Sequence, residues 1–225
     1  MNLAAAHLAL RAHALAVVVA TTGSMALEAT ASGYARASGS FVTDGFLAGM
    51  EVVPTGFTQT TPGIITAVSA LTLTIQGGRT AQASGSGRTL AVGVPSIRVF
   101  ENLEPVEDGV NIRQLVAGRP YFTEEFAPAT QQLTTNRPHG VLESTGLYVC
   151  TWAGLANYDS IAIRTCADAL LSAFPPGEAF SLADGSIARV RGDVAPWARQ
   201  ITNRPGGWAA CICTIPWKVT ARLSS

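Results

Sequence analysis

The sequence predicts an α+β fold in which a small mixed or antiparallel sheet is packed with helices, and in which an all-β domain is inserted. Three observations predict it. A buried strand is followed at once by a helix between residues 141 and 177. The first segment is rich in alanine and leucine, which favour helix. From Thr21 to about Pro95, serine, threonine and glycine dominate, and short alternating runs are separated by turn signals.

The strand-and-helix unit is the central element of the prediction. Leu147–Trp152 is rich in β-branched and aromatic residues and apolar on both faces, which suits a central strand covered on both sides. Asp159 is placed to cap the following helix by accepting its free backbone N–H groups. Pro175-Pro176-Gly177 ends that helix. Its single apolar stripe consists of Ile163, Ala167, Leu170, Leu171 and Phe174.

The first segment, Met1–Ala20, contains an apolar run of the kind found in secretory leaders. Arg11 is the only cation before that run, so the basic start of a leader is missing. An alanine- and leucine-rich helix is therefore the better interpretation. The length of the apolar run, together with Arg11 and His13, argues against a transmembrane span.

The β-rich stretch that follows has the texture of a small barrel or sandwich. Ile64–Val68 and Leu71–Ile75 are predicted strands joined by a short turn. Asp44-Gly45 and Gly77-Gly78 are turn pairs. Such a module can be inserted into a surface connection because lengthening a loop costs little closure entropy.

The composition bears on the class of protein. The 225 residues include 15 basic and 15 acidic side chains, so the formal net charge is zero. Nucleic-acid binding by bulk electrostatics is disfavoured, since phosphate contacts need a cationic excess. Only 13% of the residues are charged and mean hydropathy is positive, which fits a subunit that hides much of its surface in an assembly.

A search for reactive groups finds no catalytic or metal-binding signature. The cysteines form no CxxC pair and no zinc pattern with the three histidines, so small buried hydrophobes are expected, with a metal site or a disulfide as the alternatives. His139 has no serine–acid arrangement nearby that would make it a general base. No nucleophile elbow, metalloprotease motif or dinucleotide fingerprint is present. The sequence therefore predicts neither an enzyme nor a cofactor. The cysteines are Cys150, Cys166, Cys211 and Cys213.

Acidic and basic residues are segregated along the chain. Glu101–Glu125 is rich in acids, with a solvated loop as the plain interpretation. Arg189–Arg222 carries five arginines and Lys218 against Asp193 alone. Opposite charge on two patches suits a heterologous, head-to-tail contact, which closes into a ring when the rotation permits. Neutralisation of the two segments within one subunit is the alternative.

The ring hypothesis names four candidate residues at the subunit interface. Glu124 and Glu125 of one subunit would face Arg189 and Arg191 of the next. Complementary charges of this kind fix register and partner choice more than they add affinity.

The order of these segments also resembles a known family. A strand containing glycine, a Gly/Asn turn, the helix ending ADALLSAFPPG and the stretch GSIARVRGDVAPW resemble the tail terminator proteins of long-tailed (siphovirus-like) phages. The resemblance covers roughly residues 1–20 and 97–225, which predicts a discontinuous α+β domain. Residues 21–96 form the inserted β-barrel or sandwich domain, and GIITAVSALTLTI within them is similar to β modules of phage structural proteins.

The resemblance implies a structural virion protein at the head–tail junction. Such a protein assembles in the host cytoplasm into a hexameric ring, caps the tail tube and joins the tail to the head-completion (neck) protein. DNA passes through the lumen without sequence-specific binding, and no membrane is involved. The alternatives are another neck or head–tail joining protein, a tail tube subunit and, more distantly, a secreted β-rich adhesion or binding module.

Overall fold

The structure is a computed structural model that describes residues 3–100, 119–133, 141–155, 160–204 and 208–222. It is mostly β, with 51% of residues in strands and 15% in helices, and it contains a closed six-stranded barrel. The predicted α+β class is therefore wrong. The predictions for Asp159, His139 and the acidic residues of Glu101–Asp108 lie outside the described residues.

The helices and strands have the following bounds. They are α1 Leu3–Leu15, β1 Val18–Thr21, β2 Met25–Thr30, β3 Gly33–Arg36, β4 Glu51–Thr55, β5 Gly63–Val68, β6 Thr72–Ile75, β7 Gln82–Gly93, β8 Ile97–Phe100, β9 Tyr121–Leu133, β10 Val141–Leu155, α2 Ser160–Ser172, β11 Ala179–Ser181, β12 Ile187–Val190, β13 Trp197–Arg204 and β14 Trp208–Arg222.

The first sheet closes into the barrel. Its strands follow the order β7-β2-β3-β6-β5-β4, and β4 pairs back onto β7. Closure removes the free strand edges that an open sheet would present. The predicted strands around residues 64–68 and 71–75 are confirmed as β5 and β6. The barrel interior is filled mainly by Leu27, Tyr34, Phe41, Phe46, Val52, Ile65, Leu73 and Leu90.

The chain enters and leaves the barrel side by side. β1 pairs antiparallel with the end of β7, with Val18 opposite Gly93 and Thr21 opposite Ala91. The predicted first helix therefore ends at Leu15, because the valine run that follows takes up strand conformation, which β-branched residues favour. The barrel is thus connected to the rest of the chain through two neighbouring strands, β1 and the end of β7.

The second sheet has the order β11-β12-β14-β10-β9-β8, and β13 also pairs with β14. All its pairings are antiparallel except that of β8 with β9. Its centre is the pair β10 and β14, which stay in register from Val141 opposite Arg222 to Leu155 opposite Trp208. Pro216 does not interrupt β14, since it stays in register opposite Leu147. β13 pairs as far as Thr214 and β12 begins at Trp217, so Pro216 lies where neither strand needs its missing N–H.

The helices cover one face of this sheet, which we call the inner face. Tyr148, Cys150 and Trp152 point to it and are buried, whereas Leu147 points to the opposite side and is 37% exposed. We call the opposite face the outer face. Leu147 is exposed there, but Val149 and Thr151 are half-buried, so the predicted cover of this strand on both sides is only partial. The stripe of α2 is confirmed, with Ile163, Ala167, Leu170 and Phe174 buried.

The long strand β9 was not anticipated. Tyr121–Leu133 contains two adjacent glutamates and a proline, which in the sequence indicate a solvated loop. In the structure β9 pairs with β10 along its length, and alternate side chains face the core. The acidic pair therefore divides between the two faces of a sheet, as the period of two requires.

Candidate assembly surface

The outer face of the second sheet is defined by its register. One row across it holds Glu125, Val149, Thr214 and Trp197, which are successive cross-strand partners from β9 to β13. Directly opposite residues of neighbouring strands share a face. Glu125, at one end of this row, is exposed, and Trp197, at the other end, is 44% exposed. The row therefore runs from an acidic side of the face to an aromatic one.

Basic residues gather on the side of β12 and β13. Arg199 is exposed and lies two residues beyond Trp197 on β13, and Arg189 is half-buried opposite Lys218. Arg191 forms an ion pair with Asp193, which it also contacts through Nε at 3.0 Å. This hydrogen bond lowers the pKa of Asp193 below its usual range. Among the predicted interface residues, Glu125 and Arg189 lie on the outer face and Arg191 has a partner in its own chain.

Glu124 does not lie on this surface, because its side chain is fully buried on the inner face. It accepts hydrogen bonds from Arg11, from Tyr148 and from His7 Nε2, the last at 3.0 Å. A subunit contact through Glu124 is therefore excluded by burial. The predicted contact between Glu125 and the arginines of a neighbouring copy stays a prediction.

The buried cluster around Glu124 attaches α1 to the sheet. Arg11 and His7 come from α1, whereas Glu124 and Tyr148 come from β9 and β10. Burial, together with nearby Cys150 and Glu124, raises the pKa of Tyr148 far above its usual range, so its hydroxyl stays protonated and donates. A buried carboxylate needs such partners because an unpaired one costs several kcal/mol, about 3–5. The first helix is thereby joined to residues more than a hundred positions away.

A stack of three rings continues from this cluster. Phe126 lies between His7, with ring centroids 4.8 Å apart, and Trp217, with centroids 4.6 Å apart. Gly146 makes room for the indole, since a Cβ there would lie 2.5 Å from Trp217 Cζ2 and 2.4 Å from the Ala127 carbonyl oxygen. The Trp217 Nε1 is buried, and the part of the chain that the structure describes offers it no hydrogen-bond partner. The glycine is therefore required by close packing.

A second polar contact fixes the barrel against the sheet. Glu51, at the start of β4, has a nearly buried side chain that accepts a hydrogen bond from the Ser96 backbone N–H at 2.6 Å and forms an ion pair with Arg119. Arg119 also donates to Ser96 Oγ at 2.9 Å. Since Arg119 precedes β9, this contact joins the barrel directly to the second sheet.

The four cysteines are buried, as predicted, and their thiols are free. Cys150 and Cys213 are cross-strand partners on the inner face, and Cys213 Sγ lies 3.8 Å from the Ala167 carbonyl oxygen of α2. Burial raises the pKa of Cys166 to about 12 and that of Cys150 higher still. The raised pKa values of Cys150 and Cys166 leave little thiolate at neutral pH, which suits packing groups better than reactive ones. Cys211 differs, because its hydrogen bond with Cys213 lowers its pKa.

Neither a membrane-spanning helix among the described residues nor a similar known protein is found. Within the described ranges, no helix combines the length and the apolar character that crossing a membrane requires. Compared with known proteins, the chain matches no family model, no curated protein and no solved structure.

Proposed function

We propose that this protein is a ring-forming tail terminator of a long-tailed phage, a structural subunit without catalytic activity. Its ring would cap the tail tube and join the tail to the head-completion complex. The observation that carries the proposal is the distribution of charge on the outer face. Glu125 is exposed on the β9 side and Arg199 on the β13 side of one continuous sheet.

This distribution supports a ring because, on the outer face, the exposed Glu125 lies towards the β8 side of the sheet and the exposed Arg199 lies on β13, on the other side of the central pair β10 and β14. A copy placed beside another would bring the acidic side of one against the basic side of the next. Such a contact is heterologous, and repetition about an axis closes it. Both helices of the described ranges lie on the inner face, so within those ranges the sheet has the form of a wall segment whose outer face is left for neighbours or for the lumen.

The barrel supports the same role as a decoration of this wall. It is inserted between α1 and β8, and α1 returns to the second sheet through the cluster around Glu124. Because it is closed, the barrel adds no open strand edge that would continue assembly. We expect it to project from the ring and to contact neighbouring tail or neck proteins.

The mechanism would be geometric. One side of the ring would match the docking surface of the tube, and the other would offer the tube subunit no further binding edge, so polymerisation stops. DNA would pass through the lumen without base-specific contact, in keeping with the zero net charge. Neighbours would thus be recognised by shape and charge pattern alone.

The test is the assembly state of the purified full chain and its effect on tube growth. We expect rings in negative-stain electron micrographs, a discrete oligomer mass by light scattering, and arrest of tail tube polymerisation when rings are added. Unlimited self-assembly into long tubes would instead indicate a tube subunit. A chain that stays monomeric at high concentration would refute the proposal.

A further inference from the structure

We propose that strand β13 binds an extended, acidic segment of another protein, which adds to the second sheet as a further strand. The inference goes beyond the proposed function, because it concerns a different contact and does not depend on ring formation. It rests on the backbone edge of β13, on the exposure of its residues and on two arginines that lie beside it.

The strand β13 has a long edge without a neighbouring strand. It pairs with β14 on one side, and the described residues place no strand on its other side. Among those residues, the other strands that pair on one side only are three or four residues long, whereas β13 has eight residues. Its pairing with β14 is regular over Trp197–Ile201, a segment that contains no proline. Prolines and bulges are the devices that usually block strand addition at such edges.

The residues of this regular segment are accessible from both faces of the sheet. Trp197 is 44% exposed, and the next two residues, Ala198 and Arg199, are exposed as well. Because successive residues of a strand point to opposite faces, three exposed neighbours mean that neither face is covered here. In β12, by contrast, half-buried and buried residues alternate. An incoming strand would therefore meet little obstruction, and Trp197 would offer it an aromatic contact of the kind that often dominates interface energy.

Two guanidinium groups flank the segment, one on each face. Arg199 is exposed on the outer face. Arg164 reaches β13 from α2 on the inner face, where its Nη2 donates to Gln200 Oε1 at 2.6 Å. Within the described ranges neither arginine forms an ion pair, although Asp168 lies one turn beyond Arg164 on α2. The edge of β13 therefore carries positive charge on both faces.

An acidic strand satisfies the backbone and the two arginines together. In strand addition, main-chain hydrogen bonds supply affinity and the alternating side chains supply specificity. Two adjacent acidic residues of the added strand would point to opposite faces, one towards Arg199 and the other towards Arg164. The charge of the site therefore defines the chemistry of the partner.

A second copy of β13 is disfavoured as the occupant. Arg199 is the middle residue of the regular segment, so antiparallel pairing of two copies along its whole length would set Arg199 directly opposite Arg199. Like charges directly opposite each other destabilise a strand pair. The same arginine thus opposes self-pairing and favours an acidic partner.

The experiment titrates the full chain with a short, capped peptide of threonine and valine that has two adjacent glutamates at its centre. We expect saturable binding by calorimetry that weakens as salt is added. Hydrogen exchange should show protection at every second amide of β13, because an added antiparallel strand bonds to alternate residues. The same peptide with glutamines at its centre should bind more weakly.

Charge reversal of the arginines tests the assignment. We expect Arg164→Glu and Arg199→Glu each to weaken binding about 10-fold, since each loses an exposed ion pair and gains a repulsion. Arg98→Glu is the matched control, because Arg98 is exposed on β8 at the opposite edge of the sheet, and it should change the affinity less than about twofold. Circular dichroism melts establish that each variant is folded.

Several results would overturn the inference. These are no saturable binding up to about 1 mM peptide, binding without protection of β13, and equal affinity for the glutamine peptide. Protection of β13 that rises with protein concentration alone would make a second copy the occupant. Binding of an oligothymidylate with the same dependence on Arg164 and Arg199 would make the surface a nucleic-acid site. Arg164 has no part in the proposed contact between copies, so its variant tests this inference without testing the ring.

Discussion

Replacement of Glu124 by glutamine tests whether the buried cluster holds the first helix to the second sheet. Glutamine keeps the shape of the side chain but removes its charge, and Arg11, whose side chain is 22% exposed, loses its buried counter-ion. Removing one partner of a buried ion pair costs about 3–5 kcal/mol, and the partial exposure of Arg11 places this case near 3. For a chain of this size that corresponds to a fall in Tm of about 6–12 °C.

Glu28→Gln is the control, since this carboxylate is exposed on strand β2 of the barrel and takes no part in the proposed contact between copies. We expect it to change stability by less than about 0.5 kcal/mol. Urea titrations of both variants, with hydrogen exchange of α1 amides, measure the difference. Faster exchange in α1 should accompany Glu124→Gln alone. Equal unfolding midpoints for the two variants would refute the account of the cluster, and replacing Arg11 and Glu124 together by Met and Leu should recover most of the loss.

The remaining predictions concern packing, pH and domain structure. Gly146→Ala should destabilise the fold by about 1–3 kcal/mol, since overpacking beside the Trp217 ring forces backbone or side chain to move. Gly192→Ala, with nothing within 4 Å of the added Cβ, should be nearly neutral in the same urea titration. The folded pKa of Cys166, about 12, lies above the unfolded value, so stability should be intact below about pH 8.5 and fall towards pH 12, seen as a declining Tm. Replacement of residues 22–90 by Asn-Gly should leave a chain that unfolds cooperatively in calorimetry, because the flanking residues are already cross-strand partners. A non-cooperative transition would contradict a second sheet that folds independently of the barrel.

Separating the barrel from the second sheet also has a structural cost that the excision experiment measures. Glu51 would be removed, which leaves Arg119 and the Ser96 N–H without their partner. Trp152 and Ile163, which line the cleft at the junction with the barrel, would become more exposed. We therefore expect the excised chain to melt at a lower temperature than the full chain while keeping its own transition.

The sequence alone was sufficient for elements whose pattern is local. The apolar stripe of α2 recurs at helical spacing, and β5 and β6 are short runs bounded by turn residues. In each case the residues that decide the conformation lie within a few positions of one another. The strand conformation of β9 and the continuous course of β14 through Pro216 do not follow from local composition, because long-range pairing overrides it.

Glu124 and Glu125 show what cannot be predicted from the sequence alone. Adjacent residues of a strand must point to opposite faces, but only the packing of α1 decides that Glu124 is the buried one and Glu125 the exposed one. The same holds for Trp197, since the residues around it in the sequence do not show that it is exposed whereas Trp217 is buried. Alternation and composition are local properties, and they follow from the sequence alone. The choice of which face is covered depends on elements far apart in sequence, and it exists only once they have packed.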